Sequence, residues 1–207
     1  SVDVPLVTGR NLRLIMVDSA NGYDFGISPF SKRRRPEYRA AAKFADDPGV
    51  EPWLITHQPP TAITTTKFDP GNIANWQNWV ADDQTAASYG LLGNYTAMVS
   101  GHLHLSQVAK VKGLPPQFVF GGGGTKLDPA TGYTTPKYGP LSTSKGQPLV
   151  PGLKPYPADA YRWIEVQHAF GVARPNPSQG AWDVQYIRPT GQPLTTCTVR
   201  EGTPNCG

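Results

Sequence analysis

The chain has 207 residues, 38% of them apolar, with 22 Gly, 22 Pro and only 16% charged residues. Such a chain is large enough to bury a core without staples, and its composition excludes a disordered segment while predicting long irregular connections. A formal charge of +4 is mildly basic. That balance favours anionic substrates but gives no basis for a nucleic-acid partner, and no apolar stretch reaches membrane-spanning length, so no membrane partner is indicated.

In chain order, the run LRLIMVDSA (12–20) predicts a strand buried on both faces. PEYRAAAKFADDPGV (36–50) predicts a helix, with Pro36 at its start and Asp-Asp-Pro-Gly as its stop. The charge run KRRRPEYR (32–39) before it is expected to be a solvated loop. EPWLITHQPP (51–60) is a second strand, ending at His57 and two prolines that forbid its continuation. Residues 72–92 carry Ile73, Trp76, Trp79 and Val80 at helical spacing. Gly93 and Asn94 turn the chain into YTAMVSGHLH (95–104), a third apolar strand. This β-α-β-α-β order predicts an α/β core.

Beyond His104 the pattern changes to strands at 106–112, 116–124, 161–172 and 182–189, read as antiparallel sheet added to the same domain. The Pro/Gly-rich segment 125–160 between them is long enough to be functional. Its Tyr133, Tyr138 and Tyr156 are candidate substrate-entrance residues, with ordinary surface anchoring as the alternative. The chain thus divides into a core (1–124), a long loop (125–160), and a section of antiparallel strands and tail (161–207), all within one domain or domain fragment.

The only two cysteines, Cys197 and Cys206, flank a short turn-rich loop near the C-terminus. Their spacing predicts a disulfide that stabilises the tail by roughly 2–3 kcal/mol on the chain-entropy model. The same pair points to an oxidising compartment, secreted or periplasmic.

Three of the four histidines share one property. His57 and the His102/His104 pair each sit at the C-terminal end of an apolar strand, where ligand sites gather in open α/β sheets. On extended backbone, residues two apart face the same side, so His102 and His104 are expected to reach one site together with His57. Neutral imidazoles suit Zn, Mn or Fe. His168, within a predicted strand, is read as a structural residue. The GGGG run (121–124) lacks the Gly-Lys-Ser/Thr that a phosphate-cradling loop needs.

LITHQPP with His57, MVSGHLHLSQ with His102 and His104, and FVFGGGGT beyond them resemble the C-terminal half of the calcineurin-like metallophosphoesterases. LRLIMVDS resembles that family's central strand. The resemblance covers most of residues 12–125 in order and spacing. It implies the C-terminal half of a four-layer α-β-β-α sandwich with mixed sheets and added antiparallel strands. It also implies a phosphoric mono- or diester hydrolase using two divalent or trivalent ions. His57 and His102 would bind one ion and His104 the other, and a hydroxide bridging both would attack phosphorus.

The family's N-terminal motifs are absent. No His precedes His57, and neither Gly-Asp nor Asn-His occurs, so the bridging carboxylate and the Asn ligand are missing. Asp18 belongs to a strand that the family does not use for metal. The expectation is a chain that supplies the histidine ligands, assigns no catalytic residue of its own, and leaves an apolar strand edge and helix faces open, so that it needs an N-terminal half or a second chain to complete sheet and site. Two alternatives stay open: a catalytically silent module that binds a partner or self-associates, and a mononuclear Zn hydrolase using the three histidines alone.

Overall fold

The computed structural model describes residues 1–18, 27–57, 59–60, 90–102, 104–110, 113–124, 126–127, 161–165 and 167–207, without the side chains of 27–35, 161, 162 and 164. The predicted helix at 72–92 therefore lies outside the described residues except for its last three, which form a turn. Tyr133, Tyr138 and Tyr156 lie outside them too, as does almost all of the 125–160 segment.

The fold is mixed α/β, with many strands and few helices. Strands β1 (Val2–Pro5), β2 (Asn11–Val17), β3 (Val50–Thr56), β4 (Ala97–Ser100), β5 (Ser106–Lys110), β6 (Gln117–Phe120) and β7 (Tyr161–Glu165) form one sheet, in the order β1-β2-β3-β4-β6-β5-β7. Its centre, β2-β3-β4-β6, is parallel, and β1, β5 and β7 pair antiparallel at the two sides. Strands β8 (Phe170–Asn176), β9 (Ala181–Ile187), β10 (Pro193–Arg200) and β11 (Thr203–Cys206) form a second, wholly antiparallel sheet.

Alternation along the parallel strands sends side chains to two separate cores. Leu12, Trp53, Ala97 and Phe118 face the second sheet, where they meet Trp182, Val184, Tyr186 and Val199. Ile15, Val17, Leu54 and Met98 face the other way and pack against Ala41 and Ala45 of helix α1 (Ile27–Ala45). The two tryptophans Trp53 and Trp182 join the sheets, with ring centroids 4.7 Å apart and planes tilted by 57°. Burying each such side chain contributes roughly 1.5–3 kcal/mol.

Four expectations need correction. The helix begins at Ile27, well before Pro36, so the basic run at 32–39 is helical and not a loop. Lys and Arg are good helix formers, and the helix carries Pro36 in its interior despite the lost N–H and the ring's clash with the carbonyl four residues back. The predicted strand at 161–172 is two strands, β7 and β8, belonging to different sheets. The glycine run permits this crossing: a Cβ on Gly122 would lie 2.7 Å from the Gln167 carbonyl oxygen, so only glycine lets the 167–169 connection pass. His168 Nδ1 lies 3.0 Å from the Gly122 carbonyl oxygen, to which it donates, in keeping with the structural role read for it. Third, the outer side of β2 is not an open edge along its whole length, because β1 pairs with Asn11 to Leu14. The fourth concerns His102 and is taken up with the site.

The chain also adds strands absent from the reading above. The tail is a hairpin, β10–β11, with Cys197 opposite Cys206 and a disulfide between them. Thr196 and Gly207 exchange both backbone hydrogen bonds, so the cysteines occupy the next, non-hydrogen-bonded pair, where facing side chains lie closest. A disulfide in a hairpin of this kind fits an oxidising compartment.

Candidate metal centre

Parallel strands β3 and β4 end together, with Thr56 level with Ser100. His57 follows the first and Gly101-His102 the second. The chain continues the ladder for one more bond, from the Gly101 N–H to the His57 carbonyl at 3.2 Å. Beneath them lies a buried polar brace. The hydroxyls of Thr56 and Ser100 are 2.7 Å apart, and the Gln117 amide donates to Ser100 Oγ at 3.1 Å and to the Phe118 carbonyl at 3.1 Å. Hydrogen bonds of this kind, made away from water, fix the relative height of two strand ends.

On this base His57 and His102 meet directly. His102 Nδ1 lies 2.9 Å from His57 Nε2, with the rings perpendicular and their centroids 4.8 Å apart. One nitrogen donates and the other accepts, so two lone-pair positions converge on a single shared proton. A tetrahedral ion with Zn–N bonds of about 2.0–2.1 Å places two donor nitrogens roughly 3.3 Å apart. Seating an ion on both nitrogens would widen that separation by a few tenths of an ångström and turn both rings so that their lone pairs meet at the ion. The donor set fits a borderline-soft cation on these two atoms.

The two residues meet by a route different from the one expected. β4 stops at Ser100, and His102 takes a left-handed backbone conformation, φ 61°. Period-two alternation applies only to extended backbone, so it does not carry His104 to the same side as His102. His104 is half-buried in the bend that leads into β5. Among the described residues, no group of three or more His, Cys, Asp or Glu side chains converges. Asp18, exposed, follows β2 at the same end of the sheet.

The Thr56–Ser100–Gln117 brace was not foreseen. Its sequence signal is slight: a Thr and a Ser each ending an apolar run, directly before His57 and before Gly101-His102.

No family model matches the chain, and no curated protein matches it. Among solved structures it is similar to one described as "GAP50 the anchor in the inner membrane complex of Plasmodium", at 8% identity and a TM-score of 0.47. The match covers 96% of this chain and 52% of that one, so the chain spans about half the length of that structure. A likeness of this degree carries no argument about function.

Proposed function

We propose that this chain is the C-terminal part of an extracytoplasmic, metal-dependent phosphoric ester hydrolase with a four-layer sandwich in its complete form. The observation that carries the reading is the convergence of His57 Nε2 and His102 Nδ1 at the carboxyl ends of two adjacent parallel strands. His57 and His102 would hold one ion, and His104 is reserved for a second ion completed by other residues. When bound, such ions polarise a phosphoryl oxygen and supply an activated water. The chain's own contribution is positional: the Thr56–Ser100 brace sets the height of both histidines, and the mildly basic surface favours an anionic ester.

Two further features support an incomplete unit. Met16 of β2 is 60% exposed on the face whose other residues pack against the second sheet. The strand β1, which flanks β2, is exposed along its whole length, including Val2 and Val4. Cover for these surfaces would come from an N-terminal half or a second chain.

The test is to measure Zn, Mn and Fe per chain and to assay p-nitrophenyl phosphate and bis-p-nitrophenyl phosphate, with and without a polypeptide carrying Asp-x-His, Gly-Asp and Asn-His motifs. Metal on the chain and turnover only with the added polypeptide support the proposal. Turnover by the isolated chain, lost in His104→Ala, replaces it with a mononuclear site. Neither metal nor turnover under any condition leaves a silent module.

A further inference from the structure

A cavity of about 440 Å³ opens between the two sheets at the amino ends of β3 and β4, the opposite end of the strands from the histidine pair. Its volume is that of a small-molecule site. One wall is aromatic, formed by Trp53, Trp182 and Phe118. Trp53 is 5% exposed, and its indole N–H is buried with no hydrogen-bond partner. A buried donor left unmatched costs about 1–3 kcal/mol. Its neighbour differs: the Trp182 indole N–H donates to the Glu51 carboxylate.

Two cations line the same space. Arg10 donates to the Val50 carbonyl and Lys110 to the Leu114 carbonyl. The ion pairs found among the described residues belong to Arg13, so neither cation faces a carboxylate partner in that set. Burial holds the Lys110 ammonium below the usual lysine range, the direction expected of a cation short of countercharge. Two acidic residues line the cavity as well: Glu51, whose carboxylate accepts from the Trp182 indole, and Glu201, exposed at the rim.

We propose that this cavity binds a small aromatic anion, its ring against Trp53 and Trp182 and its carboxylate or sulfonate turned to Arg10 and Lys110. The apolar wall and the two cations select this class together. A neutral aromatic would leave the cations without an anionic partner, and a bare inorganic anion would leave the wall uncovered. The site stands apart from the histidine pair and does not depend on the hydrolase reading.

The experiment titrates the full chain with 8-anilinonaphthalene-1-sulfonate and, separately, with its uncharged counterpart N-phenyl-1-naphthylamine. Fluorescence and the thermal midpoint are the readouts. The expected result is one saturable sulfonate per chain, bound at least about tenfold more tightly than the neutral probe and raising the midpoint; one charge-assisted contact is sufficient for that ratio. Lys110→Gln should weaken sulfonate binding several-fold while leaving the neutral probe unaffected. Circular dichroism and a cooperative melt verify folding, and Arg10→Gln serves in place of a variant that does not fold. Equal affinity for the two probes, no response to Lys110→Gln and Arg10→Gln, or no saturable binding would each overturn the proposal.

Discussion

The hydroxyls of Thr56 and Ser100 lie 2.7 Å apart in the interior, and each belongs to the last residue of the strand that delivers a histidine to the site. Ser100→Ala removes the buried hydrogen bonds that Ser100 makes with Thr56 and Gln117. It should therefore cost about 1–3 kcal/mol in urea unfolding, and should also weaken Zn binding at His57 and His102. Ser100→Thr keeps the hydroxyl and should restore part of both. A stability loss with unchanged Zn affinity would show that the brace does not position the histidines.

Zn titration by calorimetry separates the three histidines. His57→Ala and His102→Ala should each lower affinity by at least tenfold, because each supplies one of the two converging nitrogens. His104→Ala should have a much smaller effect on the isolated chain. An equal loss from all three would mean that His104 shares the first ion.

Gly171 of β8 packs directly against Phe120 of β6 in the other sheet. A Cβ there would fall 2.1 Å from the Phe120 ring, which is itself packed against Tyr186 at 4.7 Å and cannot swing away. Gly171→Ala should destabilise by about 1–3 kcal/mol through overpacking. Combined with Phe120→Leu it should cost less than the sum of the two single changes, a coupling readable from a double-mutant cycle.

Tyr95 is 4% exposed, and its hydroxyl has no hydrogen-bond partner. Burial, with the nearby Asp46 charge adding to it, raises the phenol above its usual range. A group whose folded pKa is raised contributes stability that is present below about pH 10 and is lost as pH climbs further, because the unfolded chain ionises first. Tyr95→Phe should be neutral or stabilising at pH 7 and should flatten the fall in thermal midpoint above pH 10. An unchanged alkaline profile would place that sensitivity elsewhere, with the fully buried Tyr186 as the next residue to test.

Reduction of Cys197–Cys206 opens a loop of sequence separation 9. The expected loss is roughly 2–3 kcal/mol, seen as a lower midpoint in dithiothreitol and reproduced by the Cys197→Ser/Cys206→Ser variant without reductant. Both cysteines face the core between the sheets, so the loss should spread beyond the hairpin and lower the midpoint of the whole domain.

The parallel core was legible because its strands are continuous apolar runs bounded by turn residues, and His57 and His102 were legible as candidates because they stand where such runs end. The tail hairpin was harder to read: β10 alternates through threonines, and β11 carries a proline, so neither shows an apolar run. The division at residues 167–169 is set by a glycine distant in sequence, whose missing side chain makes room for another segment. The bend at His102 is a backbone property that residue spacing does not encode. Least visible was the cavity, since Arg10, Trp53, Lys110 and Trp182 come from four strands or turns and share no sequence pattern.

The left-handed backbone of His102 has an evolutionary consequence. A side chain other than glycine pays about 1–2 kcal/mol for that conformation, so selection for stability alone would favour Gly there, gaining backbone ease while losing the imidazole. Divergent copies of this gene can be sorted at one codon. Those that keep histidine at 102 would have held an unfavourable backbone for the sake of an imidazole, and those with glycine would have traded that imidazole for backbone ease.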